Sequence, residues 1–149
     1  MAKPILANAC AMAATAEEAA YRITREIGSR SALILALDAP AGEVVDRVAE
    51  RPWGAARFFH ADAMSPEQLV GEIEQSDVAI MVATADADAA AAEAIARACV
   101  ERGIMTAGLI LGEQLAVAGS VAALRPYARN LMVTNDEEDV AEVLRALRA

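Results

Sequence analysis

Ser76-Asp-Val-Ala-Ile-Met-Val-Ala-Thr84 runs through the turn Ala85-Asp-Ala-Asp88 into an alanine-rich stretch ending at Arg102 and Gly103, and then into Met105-Thr-Ala-Gly-Leu-Ile-Leu111. The two apolar runs are of strand length and near-continuous, as expected of strands covered on both faces. The segment between them is long enough for a helical crossover, so the whole reads as a right-handed βαβ unit with parallel strands. Many such folds bind phosphate through glycines in the first turn. Here that turn, Thr84 to Asp88, has no glycine and two carboxylates.

The same alternation extends in both directions. Upstream, Thr15-x-x-Glu18 is a helix start signal, with Ala19, Ile23 and Ile27 at helical spacing and Gly28 as a stop. Ser31 to Leu37 is a second apolar run, followed by a turn over Asp38 to Gly42 and a helix beginning with Val44, Val45 and Val48. Arg51-Pro-Trp-Gly54 breaks that helix. Ala56 to His60 is a short strand, and Ser65-Pro-Glu-Gln68 combines a cap, a first-turn proline and a box-closing glutamine.

Downstream, Gln114 to Leu124 reads as a helix interrupted by Gly119 and closed by Pro126. Asn130 to Thr134 is a strand, and Asp136 to Arg148 a helix with an acidic start and a basic end. Pro4 to Asn8 offers a weak sixth strand. The expected fold is α/β: a single three-layer, doubly wound, Rossmann-like domain over residues 1–149, with a mostly parallel sheet of five or six strands.

Composition narrows the function classes. The chain has 149 residues, a formal net charge of -9 and no dense basic run, which disfavours nucleic acid and anionic membrane as partners. Asp86, Asp88, Glu93 and Arg97 interrupt the longest apolar candidate for a membrane span. The two cysteines, Cys10 and Cys99, lack a C-x-x-C spacing, and no leader pattern opens the chain, so a cytoplasmic location is expected. Cys99, within the alanine-rich helix, reads as a small core residue. Trp53 and Tyr127 occupy turns, where an aromatic either anchors a partner or covers the edge of the core.

In open α/β sheets, ligands bind beyond the carboxyl ends of the strands. The turns expected there contribute Asp38, Asp62, Asp86, Asp88, Glu113 and Asp136, with Thr84 beside them. Such a rim repels bare nucleotide phosphate and permits a divalent cation or an amine-bearing ligand, since magnesium needs only one or two protein carboxylates. Carboxylates at helix N-termini also serve as caps with no ligand involved. His60, the single histidine, ends a strand two residues before Asp62. As a pair they could move a proton, with His60 as the base and Asp62 orienting it. The commoner arrangement for a strand-end histidine is a bond to a neighbouring backbone carbonyl, since His60 and Asp62 share a face only if the strand runs on through Asp62. No dinucleotide fingerprint, Walker A motif or nucleophile elbow occurs.

Ser76 to Ala85, Ala94 to Gly103, Ile104 to Leu111 and Leu124-Arg-Pro-Tyr-Ala-Arg-Asn-Leu-Met-Val-Thr-Asn-Asp136 together resemble the amino-terminal GTPase domain of the FtsZ/tubulin superfamily. The resemblance covers roughly the second half of the chain. It implies a Rossmann-like fold and an ancestral GTP site. The positions of the family's glycine-rich phosphate loop, however, read Asp86-Ala-Asp-Ala-Ala-Ala-Ala92, where Cβ atoms obstruct backbone approach and two carboxylates oppose phosphate. No nucleotide-binding residue of the family carries over, and the chain shows no counterpart of the family's carboxy-terminal domain or catalytic acidic loop.

Two functions remain. One is a binding or interaction module that has lost GTP binding and acts on a protein partner or on a second copy, a homo-oligomer being expected from the prevalence of symmetric assemblies. The other is a small-molecule enzyme or sensor using the acidic crevice, with His60 and Asp62 as an acid-base pair.

Overall fold

A computed structural model describes residues 30–149. The helix expected over Thr15 to Gly28, the strand at Pro4 to Asn8, and Cys10 lie outside the described residues. Within them, β1 (Ala32–Ala36), α1 (Ala39–Ala49), β2 (Ala56–His60), α2 (Pro66–Glu74), β3 (Val78–Ala83) and α3 (Ala89–Glu101) follow in order. β4 (Met105–Leu111), α4 (Ala118–Leu124), β5 (Asn130–Thr134) and α5 (Glu137–Ala146) complete the chain. The five strands form one all-parallel sheet in the order β2-β1-β3-β4-β5. This doubly wound order places the topological switch point between β1 and β3.

The strands form where apolar runs allow burial on both faces. Every residue of β1 and β3 is buried. Because side chains alternate along a strand, Ile34, Ile80, Val82 and Leu109 face one layer and Leu33, Leu35, Met81 and Ile110 the other. The first layer is α1 and α5, which supply Val45, Val48, Val140 and Leu144. The second is α2, α3 and α4, which supply Ile73, Ala96, Cys99 and Leu124. Each fully buried Leu or Ile contributes about 1.5–3 kcal/mol. The alanines of α3 let it lie close to the sheet and to α4.

Two element boundaries differ from expectation. Asp38 to Gly42 is not a turn: α1 starts at Ala39, with Asp38 as its N-cap and Pro40 in its first turn. Proline and glycine there mark a helix start, since a first-turn proline forfeits no intrahelical hydrogen bond. α4 begins only at Ala118, after turns over residues 114–117, and it carries no side-chain N-cap bond. The other starts hold: Ser65 and Gln68 form a complete capping box on α2.

Ion pairs bind the outer helices of the first layer. Arg47 of α1 makes two hydrogen bonds to Glu137, and Arg51, just past the end of α1, makes two to Glu138, both glutamates on α5 and all four bonds between 2.7 and 2.9 Å. Arg51 holds the Glu138 carboxyl down at about 2, and Arg47 lowers Glu137 in the same way. On the second face, Arg57 of β2 pairs with Glu72 and donates to Ser76 Oγ at 2.7 Å, fastening α2 to the sheet edge. Trp53 and Tyr127 both cover edges of the core. The Trp53 indole donates to Val48 O at 2.8 Å, and the Tyr127 hydroxyl donates to Glu93 at 3.0 Å. Among the described residues no helix is long and apolar enough to cross a membrane.

Candidate functional site

At the switch point, Asp38 follows β1 and Thr84 follows β3. Asp38 Oδ1 accepts the Ala41 backbone N–H at 2.8 Å and the Thr84 hydroxyl at 2.9 Å, while Oδ2 accepts the Thr84 N–H at 2.7 Å. One carboxylate therefore caps α1 and ties the ends of β1 and β3 together. The Thr84 hydroxyl also accepts the Asp86 N–H at 3.2 Å, and the Thr84 carbonyl accepts from Ser120 Oγ of α4 at 2.8 Å. In a phosphate-binding fold this crevice presents free backbone donors to an anion. Here a side-chain carboxylate already occupies those donors.

The other rim carboxylates serve separate elements. Asp88 caps α3 through the Ala90 and Ala91 N–H groups, at 2.9 and 3.3 Å. Asp136 caps α5 through the Glu138 N–H at 2.9 Å. Glu113 accepts from the Asn135 side chain at 3.4 Å. Asp86 is exposed beyond Thr84, and Asp62 is exposed on a short 3-10 turn, Ala61–Ala63, after β2. Among the described residues, no three Asp, Glu, His or Cys side chains come together as metal ligands. No buried side-chain polar atom there lacks a hydrogen-bond partner.

His60 is held from a direction the sequence did not suggest. Its Nε2 lies 2.7 Å from Asp46 Oδ1 on α1; that carboxylate, not Asp62, is its partner. The ring fits because Gly42 leaves room: a Cβ at that position would stand 2.6 Å from His60 Cε1. Gly42 and Asp46 are four residues apart on one face of α1, so the gap and the carboxylate fall on the same side. Both members of the pair are substantially exposed, so it adds little to stability. His60 also lines a groove of about 570 Å³ with Phe59, Gln68 and Glu72.

A further concavity among the described residues lies on the β5 side of the sheet. A groove of about 760 Å³ runs between α4 and β5, lined by Leu115, Val121, Leu131 and Val133, with Arg125 and Arg129 at its border. Leu115 is 93% exposed, Met132 42% and Val133 36%, so apolar side chains crowd one sheet edge. Sequence reasoning placed Leu115 and Val121 in one helix over Gln114 to Leu124 and did not single out this surface; Leu115 lies instead in the turns before α4. Cys99, by contrast, is buried as expected, and burial pushes its thiol up to about 11.

Compared with known proteins, the chain matches no family model and no curated protein.

Proposed function

We propose that this protein is a binding or interaction module, a Rossmann-like domain of FtsZ-like descent that has lost GTP binding and works through a protein-facing surface in the cytoplasm. The observation that carries this reading is the division of the molecule into two unlike regions. The strand ends, where a ligand would sit, are tied by Asp38 to Thr84 and lined by capping carboxylates, whereas the α4–β5 edge leaves apolar side chains in water. Contiguous exposed apolar surface is the usual mark of a protein contact. A buried, free Cys99 is in keeping with a reducing compartment.

A photo-crosslinking residue placed at Leu115, in cells producing the full chain, tests the proposal. A discrete higher-mass product from position 115, and none from the same probe at Asp62, is the expected result. A product from Asp62 alone would move the working surface to the strand ends and end this reading.

A second reading, a small-molecule enzyme or sensor, draws support from the groove beside His60. There the imidazole bonded to Asp46 could exchange a proton with a bound ligand, with Asp62 two residues further on. Thermal-shift screening against divalent metals, nucleotides, amines and organic acids tests it. A stabilising class whose effect disappears in His60→Ala supports this reading, and no shift from any class ends it.

A further inference from the structure

Among the described residues, β5 bonds to β4 on one side only, and its outer edge is open. Proteins usually blunt such edges with a charge, a proline or a bulge. The opposite edge strand, β2, carries Arg57 and follows Pro52 and Gly54. β5 reads Asn130-Leu-Met-Val-Thr134, with no charge and no proline, and bonds in unbroken register to β4. Its charges lie just outside, Arg129 at one end and Asp136 at the other. An uncharged strand between ends of opposite sign is self-complementary in the antiparallel sense.

We infer that the occupant of this edge is a second copy of the chain, paired antiparallel through β5 about a twofold axis at Met132 to give one continuous sheet across two protomers. The inference rests on the interaction-module reading and specifies its partner. With Met132 opposite its own counterpart, Leu131 of each copy lies across from Val133 of the other, on the sheet face that carries the apolar groove. The axis also sets Arg129 of each copy opposite Asn135, beside Asp136. Both ends of the contact are then attractive, and an isologous contact closes as a dimer. On the other face, Met132 meets Met132, burying a side chain that is now 42% exposed. Arg125 and Arg129 concentrate positive charge at this border in a chain of net charge -9, which favours an acidic counterpart such as Asp136 or Glu113.

The test uses the full chain with Met132→Cys in a Cys10→Ser background under mild aerobic oxidation. Opposed Cα atoms in an antiparallel pair lie about 4.5–5.5 Å apart, within disulfide range. The expected result is a disulfide-linked dimer from Met132→Cys, none from Glu142→Cys on the exposed face of α5, and about tenfold slower linkage when Arg129→Glu is added. Sedimentation of the unsubstituted chain should give twice the 15.6 kDa monomer mass. A monomer at roughly 100 μM with Met132→Cys left reduced overturns the inference. That is also the outcome if residues 1–29 of the same chain cover the edge. If the Leu115 probe still captures a different protein, only the identity of the partner falls and the interaction reading stands.

Discussion

Asp38 joins the start of α1 and the end of β3 through a single carboxylate. Its carboxylate accepts three hydrogen bonds, one from the first turn of α1 and two from Thr84. Removing it in Asp38→Ala leaves a helix without its cap and a half-buried N–H without its acceptor, each worth about 1–2 kcal/mol. Chemical denaturation should register a loss of about 2–4 kcal/mol, with Asp38→Asn losing less because one acceptor oxygen remains. Thr84→Val keeps the N–H bond and should cost about 1 kcal/mol. A loss within error for Asp38→Ala would mean the clasp is not formed. Cys99 supplies a second residue-level prediction. Because Cys99 has no exposed surface and burial disfavours its thiolate, native labelling at pH 8 in a Cys10→Ser background should run more than about 100-fold slower than in denaturant.

At the level of elements, the α1–α5 pairing makes stability depend on acid. Glu137 and Glu138 have folded pKa values below the ordinary 4.5, Glu138 at about 2, so they bind fewer protons folded than unfolded in that range. Their contribution is complete above about 4.5 and is lost as pH falls through the folded values, towards 2 for Glu138. Melting temperature measured across this window should fall, and Arg51→Met should flatten the slope; an unchanged slope would show that the pair forms no better folded than unfolded. Salt should weaken the effect, since these groups are exposed. The fold itself was legible because buried parallel strands are near-continuous apolar runs, and Ala32 to Ala36 and Val78 to Ala83 are such runs. The start of α1 was misread because Asp38-Ala-Pro-Ala-Gly42 carries the same residues as a turn, and only the cap bond to Ala41 tells them apart. The His60 partner was hidden for a different reason: Asp46 is close only after β2 has folded beside β1. Exposure of Leu115 was equally invisible, because an apolar residue in a helical pattern is ordinarily a core residue.

Considered as a whole molecule, the sheet divides its work. Its centre, β1 and β3, is buried and tied at the carboxyl ends. Its β5 edge is apolar and open among the described residues. Gly108 links the two regions: a Cβ there would stand 2.5 Å from Leu131 Cδ1, so Gly108→Ala should push Leu131 into the groove. Since the far end of a half-buried leucine can swing aside, that change should cost about 1 kcal/mol or less while weakening whatever binds the β5 face, measured as reduced crosslinking from Leu115. A clasp at the strand ends and a phosphate site there lead to different amide behaviour. The most direct measurement is a residue-resolved amide NMR titration of the full chain with magnesium and GTP. With the clasp formed, the Thr84, Asp86 and Ala41 amide signals should stay in place at millimolar ligand, held by Asp38 and Thr84 themselves. A saturable shift at those amides would show that the clasp opens for phosphate and that GTP binding is retained.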